Sequence, residues 1–196
     1  IHSAILTGDY LFSKANNTAL LYSELGIAAL LNDAVELMCR GEVAQDLWLY
    51  DSAATEADYF YQSGRKTAAL MAAGCKAGAA VSRGSLDAQE LLWQFGIKLG
   101  TAFQIIDDVQ DIVADEKTLG KPVLNDLERG TMTLPLIYAM NTEAAKYIAE
   151  CLNNPLAVKG QASNIRAELL SCGCIQRAMH AARSLMESAK QDLIGL

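Results

Sequence analysis

Apolar side chains recur three and four positions apart along almost the whole chain, and no stretch alternates apolar and polar residues as a strand would. This period predicts helices with apolar faces and no sheet. The predicted helices span Ser3–Ala15, Thr18–Arg40, Ala44–Leu49, Thr55–Arg83, Leu86–Ala114, Thr133–Met140, Thr142–Leu152, Gln161–Ser171 and Cys174–Leu193. No repeat, low-complexity tract or linker separates them, so the pattern predicts a single all-α domain over residues 1–196.

Two pairs of glycines stand four residues apart within predicted helices. Gly74 pairs with Gly78, and Gly96 pairs with Gly100. Residues four apart lie on one face of a helix, so each pair places small residues side by side. We expect both pairs to mark faces where another helix packs closely.

Composition and charge narrow the class of protein. The chain is 52% apolar and contains three prolines, which permits long uninterrupted helices. Its net charge of −7 argues against nucleic-acid binding, which needs clustered Lys and Arg. No run of about 18 uncharged apolar residues occurs, so we predict no transmembrane segment. The five cysteines form no CxxC pair, which favours reduced thiols in a cytoplasmic protein over a disulfide framework or a zinc site.

The segment Phe103–Asp111 places three carboxylates within five residues of an otherwise apolar helix. Asp107, Asp108 and Asp111 can all lean toward one face, because residues three and four apart are neighbours on a helix. Like charges this close repel each other unless a cation binds between them. Carboxylate oxygens suit hard ions, and Mg²⁺ usually completes its shell with water and substrate phosphate. A solvated acidic face is the alternative, but the apolar flanks favour a magnesium–diphosphate site.

Three further side chains could complete such a site, although each also has an ordinary structural interpretation. Lys66 begins an apolar helical run and could simply be solvated. Lys121 lies in the glycine-containing loop after the acidic helix, with the same alternative. Gln104 stands one turn before Asp108, where it could contact a ligand or satisfy a carbonyl of the core.

These motifs, in this order, resemble those of the trans-isoprenyl diphosphate synthases, the polyprenyl synthetase family, over almost the whole chain. FQxxDDxxD at Phe103–Asp111 is similar to the second aspartate-rich motif of the family. The other segments that carry the resemblance are AILTGDYLF at Ala4–Phe12, GEVAQ at Gly41–Gln45 (the G-E-x-x-Q turn of the family), KTA at Lys66–Ala68, LGKP at Leu119–Pro122 and TLPLI at Thr133–Ile137.

The resemblance implies an isoprenoid-synthase-type helical bundle around a central cavity, of which this chain would be the C-terminal part. It implies a homodimer that transfers an allylic prenyl group from its diphosphate to isopentenyl diphosphate with the help of Mg²⁺. It assigns Asp107 and Asp111 to the metal, with Asp108 beside them.

The same resemblance implies roles for five more residues. Lys66 and Lys121 would hold the allylic diphosphate. Thr67 and Gln104 would sit beside the developing allylic cation, and Phe103 would form a wall of the isopentenyl pocket.

The chain departs from the family pattern in two ways. Leu124 replaces a glycine and Thr131 replaces a lysine, and loss of that lysine favours a long-chain product such as hexaprenyl or heptaprenyl diphosphate. The resemblance also implies a first aspartate-rich motif upstream of the GDYL helix, and Asp107-Asp108 is the only adjacent aspartate pair present. We therefore expect the chain to be part of a longer synthase and to be inactive on its own.

Two other functions stay open. The chain could be a non-catalytic partner subunit of a heteromeric prenyl diphosphate synthase, although such partners usually lose the aspartates that are present here. A terpene cyclase is disfavoured, because the sequence lacks the NSE-type second metal motif of those enzymes.

Overall fold

A computed structural model of the chain describes residues 2–114, 123–194 and 196. Within these ranges the regular structure is helical and no strand occurs. The helices are α1 His2–Leu20, a 3₁₀ turn at Ser23–Leu25, α2 Ile27–Leu47, α3 Glu56–Ser63, a π-helical segment at Gly64–Ala68, α4 Ala69–Val81, α5 Leu86–Val113, α6 Asn125–Glu128, α7 Leu134–Ala139, α8 Ala145–Asn153, α9 Ala157–Ser171 and α10 Cys174–Leu193.

Helix α5 lies at the centre of the fold, packed against α4 on one side and α10 on the other. One face of α5 enters the main core, where Ile105 and Ile112 meet Leu134 of α7 and Ile148 of α8. Helix α1 differs sharply, since nearly all of its residues are exposed and Ala19 is its one buried residue. No helix in the described part of the chain is long and apolar enough to cross a membrane.

Small residues let α4 and α5 approach closely. A methyl group on Gly96 would lie 2.4 Å from the Cα of Ala72, and one on Gly100 would lie 2.5 Å from the Cα of Ala68. The prediction of close packing is therefore confirmed for this pair. It is wrong for Gly74 and Gly78, because no atom from outside their own helix, within the described part of the chain, lies within 4 Å of a methyl group placed there. Periodicity identified a shared face but not which face meets another helix.

The predicted helix boundary near Gly41 is also wrong. Helix α2 continues through Gly41 to Leu47, so the GEVAQ segment is helical and not a turn. A glycine is needed here for packing, because a methyl group added at this position would lie 2.4 Å from the backbone nitrogen of Lys66. The actual break precedes α2, where Gly26 adopts a left-handed conformation with φ of 68°.

The segment predicted as one helix over Thr55–Arg83 contains a local change of helical period. Thr55 caps its start, with its hydroxyl accepting a hydrogen bond from the backbone of Asp58. Between Ser63 and Ala69 the chain then adopts a π-helical turn. Such turns are rare and occur frequently at functional sites. This one carries Lys66, whose side chain bonds to α2, and Thr67, whose side chain bonds to α5.

Candidate functional site

A cavity of about 250 Å³ opens between α2, α3, the π turn, α5 and the segment that follows α6. Almost all of the side chains that line it carry nitrogen or oxygen. The lining residues are Gln45, Tyr59, Gln62, Ser63, Lys66, Thr67, Gln104, Asp107, Asp108, Asp126, Arg129, Thr131, Met132 and Thr133. We call Tyr59, Gln104 and Asp108 the floor of this cavity, and Lys66, Asp107 and Arg129 its mouth.

The π turn and helix α2 together position Lys66 at the mouth. The Lys66 ammonium lies 2.8 Å from a carboxylate oxygen of Glu42 and donates a hydrogen bond of 2.9 Å to the side-chain oxygen of Gln45. Gly41 allows this arrangement, because any larger residue would push α2 away from the π turn. The lysine is thus held in a defined place by one exposed carboxylate and one amide, and it faces the cavity.

A chain of hydrogen bonds runs across the floor. The Thr67 hydroxyl donates to the side-chain oxygen of Gln104 over 2.7 Å, and the Gln104 amide nitrogen donates to one oxygen of Asp108 over 2.9 Å. The Tyr59 hydroxyl donates to the other Asp108 oxygen over 2.6 Å. Each oxygen of this buried carboxylate therefore has a donor, as buried charge requires.

Burial dominates the electrostatics of the floor. The pKa of Asp108 is raised to about 7, chiefly by burial; the hydrogen bonds from Tyr59 and Gln104 act to lower it, and the nearby charges of Asp126 and Asp107 act with burial to raise it. Burial and the charge of Asp108 likewise raise the pKa of Tyr59 well above its usual value, so the phenol keeps its proton and remains a donor. Three carboxylates that repel one another around a single cavity would favour a bound cation.

The three aspartates of the DDxxD motif occupy different environments. Asp107 is exposed and lines the cavity, whereas Asp108 is buried at the floor. Asp111 is 2% exposed and is absent from the lining. One of its carboxylate oxygens accepts a hydrogen bond from the backbone of Asp126, and its carbonyl accepts one from Leu124. In this geometry Asp111 anchors α6, and Asp126 from that helix supplies the third acidic wall of the cavity.

The segment after α5 needs two left-handed backbone conformations to reach the cavity. Leu124 adopts φ of 58° with its side chain buried, at the position where the resemblance implies a glycine. Gly130 adopts φ of 77°, and a methyl group there would lie 2.5 Å from the ring of Tyr50. These two bends bring Arg129 and Thr131 to the cavity wall.

The structure brings together most of the residues proposed from the sequence. Lys66, Thr67, Gln104, Asp107 and Asp108 all line one cavity. Phe103 is 54% exposed and does not line it, so its proposed contact with the isopentenyl group stays a prediction. Lys121 lies outside the described residues.

Tyr59, Gln45 and Asp126 also line the cavity, although the sequence motifs give none of them a role. Tyr59 stands two turns before Lys66 along the same predicted helix, a spacing that could have placed it on the cavity face. Gln45 ends the GEVAQ segment, and Asp126 lies between Leu124 and Thr131, where the chain departs from the family pattern, but nothing in the local pattern of either residue indicates a cavity.

The donor set fits a hard divalent cation that is only partly coordinated by protein. Within the described ranges, no three His, Cys, Asp or Glu side chains are grouped closely enough to hold a metal ion by themselves. Mg²⁺ commonly takes only one or two carboxylates and receives its other ligands from water and phosphate. Asp107, exposed in the cavity beside Asp108, meets that requirement.

The comparisons with known proteins agree with this geometry. The profile of the family described as polyprenyl synthetase matches residues 1–169. Solanesyl diphosphate synthase 1 of Arabidopsis thaliana chloroplasts is 31% identical over 190 residues, which are 97% of this chain and 46% of that protein. Heptaprenyl diphosphate synthase component 2 of Bacillus subtilis is 30% identical, over 97% of this chain and 54% of that protein.

Solved structures give the same answer for the fold. The polyprenyl synthase of Caulobacter crescentus, complexed with calcium and isoprenyl diphosphate, superposes with a TM-score of 0.92 and 27% identity over 98% of this chain and 60% of that one. A polyprenyl synthase of Roseobacter denitrificans superposes with a TM-score of 0.87 and 28% identity over 100% of this chain and 65% of that one. The predicted all-α fold of the isoprenoid-synthase type is confirmed.

The chain spans about half the length of the relatives that it matches, 46% and 54% for the two named above. The family profile nevertheless covers residues 1–169, most of this chain. These matches confirm the resemblance seen in the motifs, and the chain belongs to the polyprenyl synthetase family.

Proposed function

We propose that the protein containing this chain is a trans-polyprenyl diphosphate synthase, which condenses an allylic prenyl diphosphate with isopentenyl diphosphate into a longer product. The observation that carries the proposal is the single cavity that joins Asp107 and Asp108, Lys66, and the hydrogen-bonded pair Thr67–Gln104. Its lining offers carboxylates for a metal and a cation for a diphosphate in one place.

The mouth would bind the diphosphate. Mg²⁺, when bound there, would supply positive charge that stabilises the diphosphate as it leaves. Asp107 is the carboxylate best placed for it, with Asp108 behind at the floor. Asp111 stays a predicted ligand, but its observed hydrogen bond to the backbone of Asp126 favours a role in holding the wall. Lys66 would pair with the remaining diphosphate charge, and Lys121 keeps the same predicted role.

The floor would stabilise positive charge on the allylic carbon. Because the Thr67 proton is directed to Gln104, the lone pairs of the threonine oxygen remain for a cation. The Gln104 oxygen is oriented by the same bond, while its amide nitrogen is fixed by Asp108. Fixed dipoles in a largely enclosed site stabilise developing charge without reorganisation.

Assembly and location complete the proposal. Helix α1 exposes apolar side chains, among them Leu11 at 60% and Phe12 at 44%, and such surfaces favour association. We propose a homodimer, with light scattering of the full-length protein as its test. All five cysteines, each within the described part of the chain, are free thiols, which supports the proposed cytoplasmic location.

The decisive experiment assays the full-length protein with Mg²⁺, isopentenyl diphosphate and farnesyl diphosphate. We expect longer prenyl diphosphates by mass spectrometry, and no elongation when EDTA removes the metal. Elongation that persists in EDTA would exclude the metal-assisted mechanism. Absence of elongation under all conditions would contradict the assignment as a complete synthase.

The name of one relative favours a second candidate function, that of one subunit in a two-component synthase. The Bacillus subtilis protein is called component 2 of heptaprenyl diphosphate synthase, so this chain too could act as one part of a two-component synthase. The retained Asp107, Asp108 and Lys66 favour the catalytic part over a non-catalytic partner. Co-purification of a second, dissimilar subunit, with elongation only when both are present, would establish this candidate.

A further inference from the structure

Ser63 is a buried cavity residue whose hydroxyl has no partner among the residues that the structure describes. It is the last residue of α3, it is 2% exposed, and it lines the same cavity as Lys66. Its Oγ atom makes no hydrogen bond with any other group in the described part of the chain. Buried hydroxyls are nearly always satisfied, so an exception that faces a cavity points to a group that enters from outside the protein.

The neighbours of Ser63 along the cavity are already committed to one another. Tyr59, one turn earlier, donates to Asp108, and Thr67, four residues later, donates to Gln104. Ser63 therefore stands between two hydroxyls that point into the floor, and it is the one whose proton is unused. A serine hydroxyl offers one donor and two acceptor positions for hydrogen bonds.

The chemistry of the cavity decides what would accept that proton. Of the lining residues within the described ranges, Met132 alone has a side chain with neither nitrogen nor oxygen, so the cavity suits a polar head group and not a hydrocarbon chain. Lys66 and Arg129 also line it, and they favour an anion. Oxygens of a diphosphate held near Lys66 are strong acceptors for a neutral hydroxyl.

We infer that Ser63 is a substrate-binding residue whose hydroxyl donates a hydrogen bond to an oxygen of the allylic diphosphate. This inference rests on the proposed function, because it takes prenyl diphosphate as the ligand of the cavity. It adds to Lys66 a neutral contact from inside the cavity, which would fix the orientation of the diphosphate without adding charge.

The test is a Ser63→Ala variant of the full-length protein, titrated calorimetrically with the thio analogue of farnesyl diphosphate in Mg²⁺. Because the variant loses a hydrogen bond to a charged group, it should bind the analogue about tenfold more weakly than the unaltered protein does. The ligand-free variant should melt about 2 °C higher, because alanine has no buried hydroxyl to leave unsatisfied. Ser184→Ala, the same change at an exposed serine of α10, should alter neither quantity.

The remaining outcomes separate this inference from the proposed function. Unchanged affinity in Ser63→Ala, while Asp107→Ala abolishes binding, would overturn the role of Ser63 and leave the synthase assignment standing. Weaker binding of isopentenyl diphosphate alone would also overturn it, since the contact would then be to the other substrate. Failure of the unaltered protein to bind either diphosphate would overturn both.

Discussion

The floor and the mouth of the cavity hold the same kinds of side chain in opposite states. At the floor, Asp108 is buried and each of its oxygens accepts a hydrogen bond. At the mouth, Asp107 is exposed, and its carboxylate makes neither a hydrogen bond nor an ion pair with another described residue. Asp107 and Asp108, although adjacent in one motif, therefore have different roles. The protein itself satisfies Asp108, whereas Asp107 is open to a cation from solution.

The largest effect should come from removing the carboxylate at the mouth. Asp107→Ala in the full-length protein should lower kcat/KM for chain elongation by on the order of 10³-fold, because the metal loses its direct ligand. Its melting temperature should stay within about 1 °C of the unaltered protein, since Asp107 supports no described contact. Asp33→Ala, at another exposed aspartate on α2, is the matched control and should elongate normally. Comparable turnover in the two variants would contradict the assigned role of Asp107.

The second effect should appear at the floor, as a dependence of stability on pH. Burial raises the pKa of Asp108 from 3.8 to about 7, so between these values the folded state retains a proton that the unfolded state releases. The unfolding free energy should therefore fall as pH rises through this window. The fall should be on the order of 3 kcal/mol.

Denaturant titrations at pH 4.5 and pH 7.5, in metal-free buffer, measure this contribution. Asp108→Asn keeps the shape of the side chain but cannot ionise, so its stability should change less between the two pH values. An identical change in both proteins would mean that Asp108 stays charged in the fold, which would contradict the raised pKa expected from its burial.

The third effect tests whether Tyr59 holds the floor. Tyr59→Phe should lower the unfolding free energy by about 1–3 kcal/mol, because one oxygen of a buried carboxylate loses its donor. Tyr61→Phe, two residues away on the exposed side of the same helix, removes a hydroxyl that makes no hydrogen bond with the described residues, and it should cost under about 0.5 kcal/mol. Equal losses would show that the Tyr59 hydroxyl is unimportant for stability.

The sequence alone predicts the helices better than their junctions. Helix α10 begins and ends where the periodicity places it, at Cys174 and Leu193, and α5 differs by a single residue at its end. Both are long helices with an apolar face in the core, so local pattern and tertiary burial agree. The boundaries around Gly26 and Gly41 were misplaced, because a glycine can either end a helix or admit a neighbouring backbone.

The sequence predicts which residues meet in the site, because that follows from their type and spacing. It does not predict the directions in which their side chains point. Lys66, Thr67, Gln104 and the first two aspartates of the motif do meet in one cavity. Their spacing gave no sign that Asp111 would turn to the backbone of Asp126. Helical spacing groups residues on one face, but only the packing of α6 determines what that face meets.

The smallest effects compare two glycines on neighbouring helices beneath the mouth. Gly100→Ala would place a methyl group 2.5 Å from the Cα of Ala68, the residue that follows Thr67, so the π turn would have to shift. We expect a loss of roughly 1–2 kcal/mol in unfolding free energy, even after the gain in helix propensity. Several-fold weaker binding of diphosphate should accompany it, because Lys66 and Thr67 move with the turn. The methyl group of Gly74→Ala would meet no atom of another described element within 4 Å, so this change should stabilise the protein by about 0.5–1 kcal/mol without affecting binding. Opposite signs in these two denaturation curves would establish that the face of α4 toward α5 positions the site while its outer face does not. If both variants were more stable than the unaltered protein, the two helices could separate freely, and their close approach would have no part in holding Lys66.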